Sequence, residues 1–484
     1  MATPKEFLQY IDDKNNQKRF VQRLADAVAI PSVSGEAAHR PDVLHMTDWL
    51  NAQLNSLGVT TKLMDVGTEE IDGQILPLPK VIFGRIGEDK NKKTILVYGH
   101  YDVQPAQKSD GWNTEPFVLT PDDTGRLFGR GSTDDKGPVL GWLNVLEAHK
   151  ALGRELPVNM RFCFEGMEES GSNGLDKLIE SEAAKGQEGW FAGVDAMCIS
   201  DNYWLNARTP CITYGLRGLV YFQMTVSGPA QDLHSGVFGR MVHEPMTDLS
   251  ILMSKLVAPD GTILVDDVEA LVPAATEDEK DLYRKLDFKM KDLDDAVGAS
   301  IALSDDPANV LMGRMRMPSL SIHGVQGAFS GEGSKTVIPA RVTAKFSIRI
   351  VTPQTVVKVE ELVKAYLKRE FAKIGTKNTL TVEKTDGGEA WTANYEHWNY
   401  QAAIRATYEV YGVIPDLTRE GGSIPVTLTF ANSLGINVLL LPMGRGDDGA
   451  HSTNEKIDSD NFFKASKLLG TYLYEVAGAS ANAA

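Results

Sequence analysis

The sequence predicts an α/β protein in which a mostly parallel sheet is interrupted by an inserted α+β domain, and three observations predict it. Four short apolar runs rich in Val, Ile, Leu and Phe each lead into a histidine or a carboxylate, as strands buried on both faces would. Helical periodicity fills residues 137–152 between the first two, so strand and helix alternate. Residues 339–351 instead alternate strictly between apolar and polar, the mark of an antiparallel sheet covered on one side. At 484 residues the chain is long for one core, and two or three domains are expected.

Taken in order, Phe20, Leu24 and Val28 recur at helical spacing before Pro31 ends the pattern. A second amphipathic helix is expected over 42–57, then strands near 59–64 and 80–86. The first apolar run, 95–99, enters His100. The second, 158–164, enters Glu165-Gly166-Met167-Glu168-Glu169. The third, 194–200, enters Asp201, and the fourth, 436–441, leads through a glycine-rich turn to His451. In parallel sheets the ligand crevice lies beyond the carboxyl ends of the strands, where all four runs place these side chains.

The middle of the chain reads differently. A strand is expected over 221–226, a helix over 244–257 and an acidic, helix-rich insertion over 264–303. Ala340, Val342, Ala344, Phe346, Ile348 and Ile350 share one face of the next strand, and Arg341, Thr343, Lys345, Ser347 and Arg349 an open one. Val359, Leu362, Val363, Tyr366 and Phe371 mark an amphipathic helix. The domain reading is 1–212 and 385–484 for the interrupted domain, with 213–384 inserted.

A net charge of −16 disfavours nucleic acid and anionic membranes as partners. With 42% hydrophobic and 24% charged residues, the composition excludes fibrous and disordered classes. The three cysteines, Cys163, Cys198 and Cys211, lie in or beside apolar runs without C-x-x-C spacing, and read as reduced, buried thiols. The first residues lack a signal-peptide pattern, no apolar run reaches the ~18 residues of a membrane span, and no N-x-S/T acceptor occurs. A cytoplasmic location is the expectation.

The candidate chemistry gathers at the strand ends. His100 and Asp102, two residues apart, can face one side, where a carboxylate would fix the imidazole tautomer. The stretch Gly129-Arg130-Gly131-Ser132-Thr133-Asp134-Asp135-Lys136-Gly137-Pro138 brings Asp134 just before a helix. One aspartate there could be an N-cap; two adjacent acids suggest a carboxylate bridging a metal pair. Of Glu168 and Glu169, one could bind metal while the other takes a proton from the attacking water. Asp201 and His451 complete the set. Two histidines and three carboxylates give each of two metals one imidazole, one private carboxylate and a shared one. Oxygen and nitrogen ligands without thiolate suit Zn²⁺, Mn²⁺ or Co²⁺. The Arg445-Gly446-Asp447 triplet invites an adhesion reading, which the missing secretory pattern opposes.

The segments VYGHYDVQPA, FGRGSTDDKGP, FEGMEESGS, CISDNYW, DLHSGVFG, TREGGSIP and PMGRGDDGAHS resemble the M20 family of metallopeptidases. The likeness lies in its carnosine-dipeptidase-like branch, which includes cytosolic nonspecific dipeptidases and fungal Cys-Gly metallodipeptidases. The resemblance implies a two-metal, aminopeptidase-like catalytic domain with an inserted lid that dimerises. It implies His100, Asp134 and Asp201 on one metal, and Asp134, Glu169 and His451 on the other, two Zn²⁺ or Mn²⁺ ions per subunit. Glu168 would be the general base, Asp102 the partner of His100, and the Asp134–Asp135 peptide cis. His234 would steady the oxyanion in the partner subunit's site. Arg349 would clamp the substrate's terminal carboxylate, with Thr336, Gly422 and Ser423 as further contacts. The implied activity is hydrolysis of dipeptides, Cys-Gly or similar, as in glutathione breakdown. Its rivals are an aminoacylase-like or carboxypeptidase-like amidohydrolase and a non-catalytic metal-binding interaction protein.

Overall fold

The computed structural model describes residues 2–71, 73–422 and 424–479. They form two compact units, one comprising Met1–Tyr214, Ala393–Thr418 and Val426–Ala484, the other Gly215–Thr392 and Arg419–Pro425.

The first unit is built on a sheet in the order Thr60–Met64, Val81–Ile86, Asn159–Glu165, Thr94–His100, Ala196–Ile199, Asn437–Leu440, Cys211–Leu216. The four central strands are parallel, and they are the four that the apolar runs mark. Parallel order stops there: the outer strands pair antiparallel. Every residue of Thr94–His100, Asn159–Glu165 and Ala196–Ile199 is buried, because helices and loops cover both faces. Helix Lys136–Ala151 follows the Asp134–Asp135 turn and is buried nearly all round, with Val139, Trp142, Leu143 and Leu146 in the core beside Leu469 and Leu473 of Ser459–Gly478. Lys136 anchors its start: the buried Nζ donates to the carbonyls of Ala27 at 2.9 Å and Ile30 at 2.7 Å, at and just beyond the carboxyl end of helix Lys14–Val28.

The second unit is a four-stranded antiparallel sheet in the order Ser319–Gln326, Arg341–Ile350, Gly218–Ser227, Thr379–Gly388. Its apolar face meets helices Pro245–Met253 and Val356–Ile374 through Val220, Phe222, Leu249, Phe346, Ile348 and Val363. The polar face of Arg341–Ile350 is less open than its alternation suggests. The strand has a neighbour on each side, so the Thr343 and Thr225 hydroxyls meet at 2.8 Å and Ser347 meets His323 at 2.8 Å, leaving Thr343 8% and Ser347 5% exposed. The acidic insertion forms short helices, Glu277–Lys285 and Met290–Val297. Among the described residues no helix is long and apolar enough to cross a membrane, and Cys163, Cys198 and Cys211 are buried and unbridged.

Candidate metal centre

Beyond the carboxyl ends of the parallel strands, the first unit brings His100, Asp134, Glu169, Asp201 and His451 together. His100 ends its strand and is wholly buried. Its Nε2 lies 3.2 Å from Asp134 Oδ1 and 3.5 Å from Asp201 Oδ2. His451 Nε2 lies 3.2 Å from Asp134 Oδ2 and 2.9 Å from Glu169 Oε2. Asp134 thus turns one oxygen toward each imidazole, and each imidazole has a second carboxylate of its own. The peptide between Asp134 and Asp135 is cis. Helix Lys136–Ala151 begins after this pair, and the Asp135 side chain makes no capping bond. The N-cap position belongs to Asp135, so Asp134 is not the cap, and its carboxylate faces the imidazoles instead.

Asp102 does more than accompany His100. The Nδ1 of His100 lies 3.1 Å from the Asp102 backbone carbonyl and 3.4 Å from its carboxylate. That carboxylate accepts the backbone N–H groups of Glu168 at 3.2 Å and Glu169 at 3.0 Å, and so pins the turn bearing both glutamates. Two further groups escape a reading by motif. Gln104 Nε2 donates to Glu169 Oε2 at 2.8 Å. Asp135 Oδ2 accepts the His100 backbone N–H at 3.1 Å, while its other oxygen is buried without a partner. Only the word order H-Y-D-V-Q and the doubled aspartate hint at either.

Charge decides what this cluster can hold. Burial pushes Glu168 and Asp135 well above the ordinary carboxyl range, and raises Glu169 and Asp201 as well. Burial also works against Asp134, but the bonds from His100 and His451 outweigh it and hold its carboxyl low. Burial alone would lower His100, yet Asp201, Asp102 and Asp134 raise it far above the usual imidazole value. Bonds to Asp134 and Glu169 push His451 up to about 10. Two imidazoles cannot offset so many buried acids, and uncompensated charges of this kind cost several kcal/mol each. Divalent cations between the two donor groups remove that cost, and the imidazole and carboxylate donors fit them. The ligand atoms of His100, Asp134 and Glu169 lie within 4.8 Å of one another, as do those of His100, Asp135 and Asp201. A third acidic group, Asp447, Asp448 and Asp458, already holds a cation: Lys456 Nζ lies 3.0, 2.8 and 2.6 Å from them.

The remaining residues singled out in the sequence belong to the second unit. His234 lies in the two-residue strand Leu233–His234, paired with Val337–Ile338, and the Ser235 N–H donates to the Thr336 carbonyl at 3.2 Å. His234 and Thr336 are thus neighbours. Arg349 is half-buried, and burial lowers its guanidinium. The Gly422 carbonyl accepts the Arg217 backbone N–H at 3.2 Å, and Arg217 Nε donates to the Gly421 carbonyl at 3.0 Å. Burial and the nearby charge of Arg349 bring Arg217 down to about 10. Arg217 carries no motif signal, being one basic residue between two strands. Ser423 lies outside the described residues.

Comparison with known proteins agrees with the geometry. The family model for peptidase family M20/M25/M40 matches residues 96–475. The chain is 52% identical to the Cys-Gly metallodipeptidase dug1 of Schizosaccharomyces pombe over 472 residues, covering 98% of each chain. The crystal structure of human carnosine dipeptidase 1 superposes with a TM-score of 0.89 at 42% identity, covering 99% of this chain and 100% of that one. The dipeptidase Dug1p of Saccharomyces cerevisiae gives 0.88 at 48% identity, with 98% of both chains covered. The chain belongs to peptidase family M20/M25/M40 and is a metal-dependent dipeptidase within it.

Proposed function

We propose that this protein hydrolyses Cys-Gly and related dipeptides, with Glu168 as general base and two Zn²⁺ or Mn²⁺ ions in the cluster of His100, Asp134, Glu169, Asp201 and His451. The observation that carries the reading is Asp134, whose two oxygens each lie 3.2 Å from a different imidazole. His100, Asp134 and Asp201 hold one ion, and Asp134, Glu169 and His451 the other. When bound, the ions polarise the scissile carbonyl and acidify the attacking water. Glu168 takes the proton from that water and returns it to the leaving amine. Burial keeps its carboxyl raised, which suits an acid that must later give the proton up. Asp102 holds the backbone of Glu168 in place.

Arg349 clamps the substrate's terminal carboxylate, assisted by Thr336, Gly422 and Ser423, and His234 steadies the oxyanion in the partner subunit's site. Motif likeness supports these roles, and so does the proximity of two half-buried arginines, Arg217 and Arg349, for the carboxylate. A homodimer through the second unit is part of the reading. Val237, Met241 and Val242, just after His234, are 57%, 73% and 38% exposed, an apolar surface suited to a second copy. Cys-Gly is a fragment of glutathione, so this activity serves glutathione breakdown, in the cytoplasm.

The test pairs metal analysis with two assays. Two ions per chain and rapid cleavage of Cys-Gly, with N-acyl amino acids left intact, support the reading. Preference for N-acyl amino acids would replace it with an aminoacylase. Sedimentation at micromolar concentration checks the dimer.

A further inference from the structure

Glu455 lies four residues beyond His451, and its side chain is completely buried. Its Oε1 accepts the backbone N–H groups of Thr133 at 3.0 Å and Asp134 at 3.1 Å. Its Oε2 accepts the N–H of Gly131 at 3.0 Å and Nη1 of Arg130 at 2.8 Å. Its own carbonyl accepts the Gly129 N–H at 2.9 Å. One residue from the His451 segment therefore grips the segment that carries Asp134, at five points.

The grip depends on local backbone geometry. Gly131 has φ of +82°, and a Cβ there would sit 2.7 Å from Val103, so the turn is open to glycine alone. In that turn the amides of residues 131, 133 and 134 converge, a concavity that ordinarily collects an anion from solution. Here the chain supplies the anion itself. Arg130 closes the other side, its guanidinium 5.2 Å from the centre of the Trp112 ring.

The consequence reaches the cluster because the bonds fall on the backbone of Asp134 itself. The plane of that peptide sets where the Asp134 carboxylate points, and its two oxygens must meet His100 and His451 together. We propose that Glu455 is a positioning residue that locks the Asp134 segment to the His451 segment, and so sets the spacing at which one carboxylate serves both ion positions. The proposal rests on the metal-centre reading above. Glu455 is placed among neither the metal ligands nor the groups that touch substrate.

Glu455→Gln keeps the size of the side chain and points an amide donor at amides that also donate. The expected result, by titration calorimetry with Mn²⁺ or Zn²⁺ alone, is a 10- to 100-fold loss of affinity for at least one of the two ions. The metal-free variant keeps its wild-type melting temperature to within a few degrees, and hydrogen exchange speeds up at Gly131, Thr133 and Asp134. Wild-type affinity for both ions in the variant overturns the proposal. If the variant does not fold, hydrogen exchange in the metal-free wild type decides. Slow exchange at those three amides supports the clamp, and exchange as fast as in open loops overturns it. A wild-type protein that takes up neither ion refutes the metal centre, while the exchange data still judge the clamp.

Discussion

At the scale of single residues, the duties proposed for Asp134 and Glu168 can be divided by mutation. Glu168→Gln is expected to keep both ions while turnover falls by about two to four orders of magnitude; metal analysis beside a dipeptide assay checks both halves. Asp134→Ala removes an oxygen from each imidazole's surroundings and is expected to abolish binding of the pair, read by calorimetry. Glu168 stood out in the sequence because it follows a conspicuous apolar run, and Asp134 because two adjacent acids in a glycine-rich stretch precede a helix. The bonds that support them were not legible, even where, as with Asp102, the residue itself was named as the partner of His100. Asp102 reaches the amides of Glu168 and Glu169 across 66 and 67 positions of sequence, and a hydrogen bond between such distant positions leaves no local pattern. Gln104 and Arg217 are hidden for the same reason.

At the scale of elements, the four central strands were legible because burial on both faces demands an unbroken apolar run. Their antiparallel neighbours were not, since strand direction depends on the path of the connections, which hydropathy does not record. The polar face of Arg341–Ile350 misled for a related reason: hydroxyl pairs such as Thr225 with Thr343 satisfy one another out of water, while composition shows only polarity. Close packing makes one glycine decisive. A Cβ at Gly99 would lie 2.7 Å from both Asp135 Oδ2 and Val139 Cγ2. Gly99→Ala is expected to cost about 1–3 kcal/mol through overpacking and to displace the carboxylate bonded to His100. Urea unfolding and metal affinity should both fall; wild-type values for the pair would show that the strand end yields more easily than its packing implies.

At the scale of the molecule, buried acids tie stability to pH. Burial, partly offset by the hydroxyls of Tyr98 at 2.6 Å and Ser172 at 2.7 Å, pushes Glu165 up to about 7. Below the ordinary carboxyl value the group is protonated whether the chain is folded or not. Between about 4.5 and 7 the unfolded chain ionises first, so stability is lost as pH rises through that window. The contribution is about 3 kcal/mol at most. Glu165→Gln should flatten that part of the profile, measured as the change in urea midpoint between pH 5 and pH 7.5 for metal-free protein. An unchanged slope would place the ionisation elsewhere.

His100 has no exposed surface, whereas the His451 side chain is 57% exposed. The two halves of the proposed centre are thus unequal doors. A chelator should strip the cation beside Glu169 and His451 first and leave a half-loaded protein, into which a different metal can be introduced on that side alone.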